Sequence, residues 1–206
     1  MADDHSLVAA GLRSMLEPVC EVAGLAENGR ALVQMAEALN PDVILLDISM
    51  PDLNGIEAAR QLRKLAPHVK LIFVTLHTDA TFVAEAMRAG AAGYVAKQSA
   101  PRELVAAIEA VMQGHTYLTP LVTRNFVDDV ILGPDTATPF GKLTARQREV
   151  LQLVAEGHSN KEVAARLGVT PKTVEFHKAN IAKALGVTAT ADLVRYALRH
   201  GIVPEE

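Results

Sequence analysis

The stretch Asp42-Val43-Ile44-Leu45-Leu46-Asp47-Ile48-Ser49-Met50-Pro51-Asp52-Leu53-Asn54-Gly55 constrains this chain more than any other. Four consecutive aliphatic residues, Val43 to Leu46, predict a strand buried on both faces, as in parallel sheets flanked by helices. The strand ends on a carboxylate, Asp47, and a turn with Pro51 and Asn54-Gly55 follows. In open α/β sheets the site lies just beyond the carboxyl ends of the strands, so Asp47 stands where chemistry takes place. The plainer alternative is a strand-ending aspartate that caps a turn. The rest of the chain decides between them.

From residue 6 to about 113 helix and strand alternate. Ser6–Leu16 carries Val8, Leu12 and Met15 at helical spacing, and Val19–Leu25 reads as a short strand. Asn28 caps a helix running to Leu39 with Leu32, Ala36 and Leu39 inward, and a helix from Asn54 to Leu65 turns Ile56, Ala59 and Leu62 to one face. The strand Leu71–Thr75, a helix capped by Asp79, the strand Gly93–Ala96 and a helix from Pro101 to Met112 follow. Such a series predicts an α/β fold with a doubly wound parallel sheet, and right-handed crossovers put every strand end on one edge.

At that edge the sequence places Asp47, Thr75 and Lys97, with the pair Asp3-Asp4 heading the first helix. Three converging carboxylates repel each other unless a cation neutralises them, and an all-oxygen set of this size suits Mg²⁺. A lysine pairs with a phosphoryl oxygen and a threonine hydroxyl donates to another. The set fits phosphoryl transfer to a carboxylate. An aspartate-nucleophile phosphatase also puts a carboxylate at a strand end, but that chemistry needs a second acid two residues on, and Ser49 stands there.

Asp3-Asp4, Asp47-x-x-Met50-Pro51-x-x-x-Gly55, Thr75 and Gly93-Tyr94-Val95-Ala96-Lys97 together resemble the receiver domain of two-component response regulators. The resemblance covers about residues 3–116. It implies a flavodoxin-like fold in which Asp47 accepts a phosphoryl group from a sensor histidine kinase. It also implies Mg²⁺ held by Asp4, Asp47 and the backbone carbonyl of Ser49, with Asp3 in the metal's outer shell. Thr75 and Tyr94 match the family's switch pair, and Lys97 would hold the phosphoryl oxygens. One departure stands out. In the family the acidic pair ends a first strand, central in a 2-1-3-4-5 order. Here Met1-Ala2 alone precede Asp3, and two residues at ~3.3 Å each do not make that strand. A gap, a distorted sheet or a substitute strand from another copy is the expectation.

Charge marks a second domain. Residues 1–141 carry 10 Lys/Arg against 17 Asp/Glu, whereas 142–206 carry 10 against 7, a mildly basic balance compatible with nucleic acid. Residues 117–141 read as a linker, with a short helix at Leu121–Leu132 and the Gly133–Pro139 run as its flexible part. Beyond it the pattern is wholly helical. Thr144 with Gln147 and Ser159 with Glu162 make capping boxes. Thr170 caps a third helix with Pro171 at its first position, and Leu167-Gly168-Val169 makes a tight turn before it. Two helices joined by a short glycine turn form a helix-turn-helix, though a structural four-helix bundle shares the apolar spacing.

Leu143-Thr144-x-Arg146-Gln147-x-Glu149-Val150-Leu151, Asn160-Lys161-Glu162-Val163-Ala164 and Thr173-Val174-x-x-His177-x-x-Asn180-Ile181 resemble the LuxR-type DNA-binding domain. With the receiver, the whole chain is similar to the NarL/FixJ class of response regulators. The resemblance implies a homodimer on double-stranded DNA when active. Its recognition helix would be Pro171–Ala184, with Asn160, Lys161, Thr170, Lys172, Thr173, Glu175, Phe176, Lys178 and Ala179 at or near the DNA. Lys172 and Lys178 can neutralise phosphates, Glu175 can accept from a cytosine amino group, and Phe176 can pack on a thymine methyl. Val174, Ile181 and Leu185 read as core.

No apolar run approaches the ~20 residues that span a bilayer, and the acidic start lacks the apolar core of an export signal. A lone cysteine, Cys20, reads as buried filler in a reducing cytoplasm. The chain is thus expected to be a cytoplasmic regulator whose only catalysis is Mg-dependent phosphorylation and dephosphorylation of its own aspartate. The competing expectation is a phosphorylation-independent DNA-binding regulator whose receiver dimerises or senses a ligand.

Overall fold

Alternating apolar spacing becomes alternating structure. The computed structural model describes residues 1–124 and 143–203, and the chain divides into two units. The first holds α1 (Ser6–Leu16), α2 (Gly29–Leu39), β1 (Val43–Leu46), α3 (Gly55–Leu65), β2 (Lys70–Thr75), α4 (Ala80–Arg88), β3 (Gly93–Ala96), α5 (Ala100–Met112) and β4 (Tyr117–Leu118). The strands form one parallel sheet in the order β1-β2-β3-β4, with Val43 opposite Lys70, Ile72 opposite Gly93 and Gly93 opposite Tyr117. Ile72, Val95 and Leu104 are buried where α1 and α5 cover one face. On α3, Ile56, Ala59 and Leu62 are fully buried.

The first strand is reduced to a stub. Ala2 bridges Leu46 on one side and Ala26 on the other, both parallel. Its N–H donates to the Leu45 carbonyl at 2.8 Å and its carbonyl accepts from Asp47 N–H at 3.0 Å. Across the other side Asp3 N–H donates to Ala26 (3.1 Å) and Ala26 N–H to Met1 (2.9 Å). The Met1 ammonium donates to the Gly24 carbonyl at 2.9 Å, and burial lowers its pKa. A cleft of about 550 Å³ continues this line, walled by residues 19–24 and 41–45. Within this chain the expected gap is present.

That gap corrects three expectations. Val19–Leu25 is not a strand; the chain there is irregular, and only the neighbouring Ala26 makes a bridge. A strand needs a partner ladder, and Met1–Asp3 reaches only far enough to pair beside Gly24 and Ala26. Leu39 lines the cleft and is 45% exposed, although Leu32 and Ala36 of the same face are buried. Cys20 is exposed rather than buried filler, in the turn that leads into the cleft wall. Tyr117–Leu118, placed by sequence in the linker, extends the sheet beyond β3. Residues 120–124 are helical; the rest of the Leu121–Leu132 helix and the Gly133–Pro139 run lie outside the described residues.

The second unit holds α6 (Ala145–Ala155), α7 (Asn160–Leu167), α8 (Pro171–Leu185) and α9 (Thr190–Arg199). Both capping boxes form, and the Thr170 side chain accepts from Thr173 N–H ahead of Pro171. Gly168 ends α7 at φ 64°, the left-handed turn that glycine adopts without penalty. Arg146 donates to the Leu167 carbonyl at 2.6 Å, tying α6 to the end of α7. Val150, Val163, Val174, Ile181, Leu193 and Ala197 are buried between the helices, while Leu185 is half-buried.

Candidate functional site: an acidic sheet edge and an exposed helix

Parallel strands deliver their last residues to one edge, and the polar residues gather there. Asp47 follows β1, Thr75 ends β2 and Lys97 follows β3. Asp3, Asp4, His5 and Asp47 bring one ligand atom each within 4.8 Å of one another. His5 was missed by sequence reasoning; its Nδ1 lies 2.8 Å from an Asp4 oxygen, and its place directly after the acidic pair is the signal that was passed over.

Lys97 is the hub. Its Nζ lies 2.7 Å from Asp47 Oδ2 and 2.8 Å from Asp3 Oδ2, and its side chain is only 9% exposed. Burial alone would lower its pKa, but the Asp47 charge and the hydrogen bonds to Asp3 and Asp47 outweigh it, and the net shift is upward. The lysine is therefore a fixed cation between two carboxylates. Asp47 Oδ1 also accepts from Ile48 N–H at 2.6 Å, which leaves its other oxygen on the lysine.

Thr75 is fully buried, and its hydroxyl oxygen accepts from His77 N–H at 3.4 Å. Tyr94 is fully buried as well, stacked on Phe73, with its hydroxyl donating to the His77 carbonyl at 2.9 Å. Burial first, then the charges of Asp47 and Asp79, push the Tyr94 pKa well up. Behind Asp47 the chain turns back through Asn54, whose side chain caps α3 by accepting from Glu57 N–H. Gly55 N–H donates to the Ile48 carbonyl at 2.9 Å, so the start of α3 lies directly on the strand end. Asp79 precedes α4 but its side chain makes no capping hydrogen bond.

His77 has a pKa below its ordinary 6.5 because burial outweighs the attraction of Asp47 and Asp79. The unfolded chain therefore binds a proton at His77 more readily than the folded one does. Stability from this group is complete above pH 6.5 and falls as pH drops through 6.5 toward the lower folded pKa. Urea unfolding at pH 7.5 and 5.5 checks this: His77→Gln is expected to lose less stability on acidification than wild type.

In the second unit the predicted contact residues share an exposed surface. Lys172, Glu175, Phe176 and Ala179 are exposed along one face of α8, at helical spacing, and Phe176 is 65% exposed. Lys161 and Thr170 are exposed, and Thr173 is half-buried with its hydroxyl 2.9 Å from that of Thr170. Asn160 joins α7 to this face: it lies 3.5 Å from Glu175 and accepts from Lys178 Nζ at 3.3 Å. Glu175 and Lys178 thus reach the surface already oriented by a neighbour.

An acidic sheet edge on the same chain as a helix-turn-helix with an exposed second helix defines a class, that of two-domain proteins carrying a helix-turn-helix module. Comparison with known proteins narrows the class. Residues 1–109 match the response regulator receiver domain, and residues 141–197 match the bacterial regulatory proteins of the luxR family. The transcriptional regulatory protein MctR of Rhizobium johnstonii is 38% identical over 205 residues, covering 98% of this chain and 94% of that protein. The response regulator UvrY of Escherichia coli is 34% identical over 208 residues, covering 100% and 95%. Among solved structures, the two-component response regulator RcsB in complex with DNA is similar with a TM-score of 0.58 at 28% identity, covering 95% of this chain and 94% of that one. This chain belongs to the two-component response regulators of the NarL/FixJ class, with a receiver and a LuxR-type DNA-binding domain. It is a DNA-binding transcription regulator. Among the described residues no helix is long and apolar enough to cross a membrane.

Proposed function

We propose that Asp47 is the phosphoacceptor and that its phosphorylation controls DNA binding. The observation that carries this reading is Lys97, whose Nζ bridges Asp47 and Asp3 at the sheet edge with the Thr75 hydroxyl at the end of the next strand. An Asp47 oxygen attacks the phosphorus of a phosphohistidine on a sensor histidine kinase. The phosphorus–nitrogen bond breaks, and the leaving imidazole takes up a proton. Lys97 and the Thr75 hydroxyl hold the phosphoryl oxygens.

Receiver domains in general bind Mg²⁺ at the phosphorylation site, and the donors here fit it. All but His5 are oxygens, and the Asp4 side chain is 26% exposed, open to a cation that keeps several waters. Asp4, Asp47 and the Ser49 carbonyl would hold the ion, with Asp3 orienting from its lysine pair. When bound, Mg²⁺ neutralises charge on the phosphoryl group. The same site supports self-phosphorylation from small acyl phosphates and self-dephosphorylation.

Phosphorylation biases the receiver through Thr75 and Tyr94, and the DNA-binding domain pairs with that of a second copy. Two α8 helices then meet half-sites about one helical turn apart. Lys161, Thr170, Lys172, Thr173 and Lys178 hold phosphates, while Glu175, Phe176 and Ala179 face base edges and Asn160 orients Glu175 and Lys178. A coupling of ~1–3 kcal/mol suffices for such a switch. The cytoplasm is the compartment this reading requires. The cleft beside Ala2 favours a second reading, in which the receiver serves only as a dimerisation module.

Intact mass after incubation with Mg²⁺ and acetyl phosphate separates the two. One phosphoryl group on wild type and none on Asp47→Ala is the expected result. No addition to folded wild type would overturn the switch and leave the second reading.

A further inference from the structure

Helix α8 carries three lysines, Lys172, Lys178 and Lys183, and one acidic residue, Glu175. A carboxylate on a helix that meets a polyanion costs affinity at every sequence, so its place there needs a reason. Helix stability does not supply one. Glu175 is the fifth residue of α8, beyond the first turn in which an acidic side chain favours the helix dipole, and Thr170 already caps that end. Ion pairing does not supply one either. Lys178, three residues on, donates to Asn160 Oδ1 at 3.3 Å instead. Among the described residues the Glu175 side chain has one contact, from Asn160 Nδ2 to its Oε1 at 3.5 Å, a length at which a hydrogen bond is weak. The carboxylate is exposed, with Lys172 one turn before it, Phe176 beside it and Ala179 one turn after, all exposed on the same face. The methyl group of Ala179 is too short to cover it.

We infer that Glu175 is a specificity-determining residue that selects cytosine, one in each half-site, an inference that rests on α8 being the helix that lies in the major groove. A carboxylate accepts hydrogen bonds and donates none. In the major groove cytosine presents an amino donor with no acceptor of its own. Guanine presents acceptors alone, thymine an acceptor and a methyl group, and adenine a donor beside its N7 acceptor. The two oxygens of Glu175 therefore fit cytosine, are repelled by guanine and thymine, and meet one repulsive atom on adenine. The Asn160 amide steadies Oε1 and leaves the second oxygen for the base. Lys172 and Lys178, on either side along the helix, offset the repulsion between this carboxylate and the phosphates. In a dimer the cytosine read by one copy faces its symmetry mate in the other half-site, so the two positions respond together. A Glu175 that only balanced charge would change affinity equally for all sequences.

Selection of duplexes from a random DNA pool tests this. The full chain is compared with Glu175→Ala, Glu175→Gln, Glu175→Lys and Lys172→Ala, each with and without prior treatment with Mg²⁺ and acetyl phosphate, so that the result does not hang on the phosphoacceptor. Wild type is expected to enrich one cytosine per half-site, favoured about tenfold or more when duplexes that differ only there compete. Glu175→Ala is expected to bring that preference to within about twofold of even and to leave the other positions as they were. Glu175→Gln, which both accepts and donates, is expected to move the preference to adenine, and Glu175→Lys to guanine. A variant that merely misfolds gains no new base. Lys172→Ala is expected to weaken binding to all duplexes alike and to keep the cytosine. A cytosine preference that survives in Glu175→Ala, or a wild-type motif without a cytosine that responds to residue 175, overturns the inference. If Lys172→Ala still weakens binding, the placement of α8 stands without it. Binding by Lys172→Ala as tight as wild type on every duplex overturns that placement, and the inference with it.

Discussion

Gly55→Ala is expected to destabilise the receiver by about 3 kcal/mol or more and to impair phosphoryl acceptance with it. A β-carbon at Gly55 would stand 1.9 Å from the Asp47 carbonyl oxygen, 2.9 Å from its carbonyl carbon and 3.2 Å from the Ile48 α-carbon. All three are backbone atoms, so no rotamer change relieves the contact. Space, rather than a left-handed backbone, is what excludes a side chain there. Relief requires α3 to move off the strand end, which breaks the bond from Gly55 N–H to Ile48 and shifts Asp47 itself. Gly93→Ala is the control: its nearest neighbours, at 3.1 Å, are side-chain carbons of Ile72, and the expected cost is about 1 kcal/mol. Urea unfolding of both variants measures the contrast. Equal costs would show that the approach of α3 to Asp47 is not rigid.

The second large effect runs the other way. Placing four aliphatic, β-branched residues ahead of Met1 is expected to raise the stability of the receiver by about 3 kcal/mol and its Tm by about 10 °C. The cleft of about 550 Å³ lies in line with the ladder that Ala2 already makes to Leu46 and Ala26, and is apolar on the α2 side through Leu32 and Met35. Burying four such side chains contributes about 6–12 kcal/mol and each new ladder bond about 1, against an ordering cost of about 2 per residue. A Gly-Ser extension of the same length is the comparison. Thermal unfolding that fails to separate the two extensions would show that the cleft does not take a strand.

What the residues revealed in advance was whatever depends on near neighbours. Asn28, Thr144, Ser159 and Thr170 cap their helices because a cap needs only the next three residues. The meeting of Asp47, Thr75 and Lys97 was legible because parallel topology alone aligns strand ends. The errors fall where a distant partner decides. Val19–Leu25 has the composition of a strand but lacks a neighbour long enough to pair with it, and Leu39 faces the cleft for the same reason. Tyr117–Leu118 looked like linker because a two-residue strand carries no periodicity of its own. His77 was invisible because its contacts are with Ser49, Tyr94 and Phe82, each remote in sequence or unmarked by any motif.

The stub strand has a further consequence. Asp3 and Asp4 are borne by a segment whose hold on the sheet is the few backbone bonds of Met1, Ala2 and Asp3, whereas Asp47, Thr75 and Lys97 sit on strands paired along their length or just beyond them. Asp47 N–H is bonded to Ala2, so its exchange with solvent reports the detachment of the segment. The acidic edge is thus carried by two parts of unequal hold, Asp3 and Asp4 on a short bridge and Asp47, Thr75 and Lys97 on or just beyond the paired strands. On the proposed Mg²⁺ site, loss of that bridge would take two carboxylates away and leave the third, Asp47, in place.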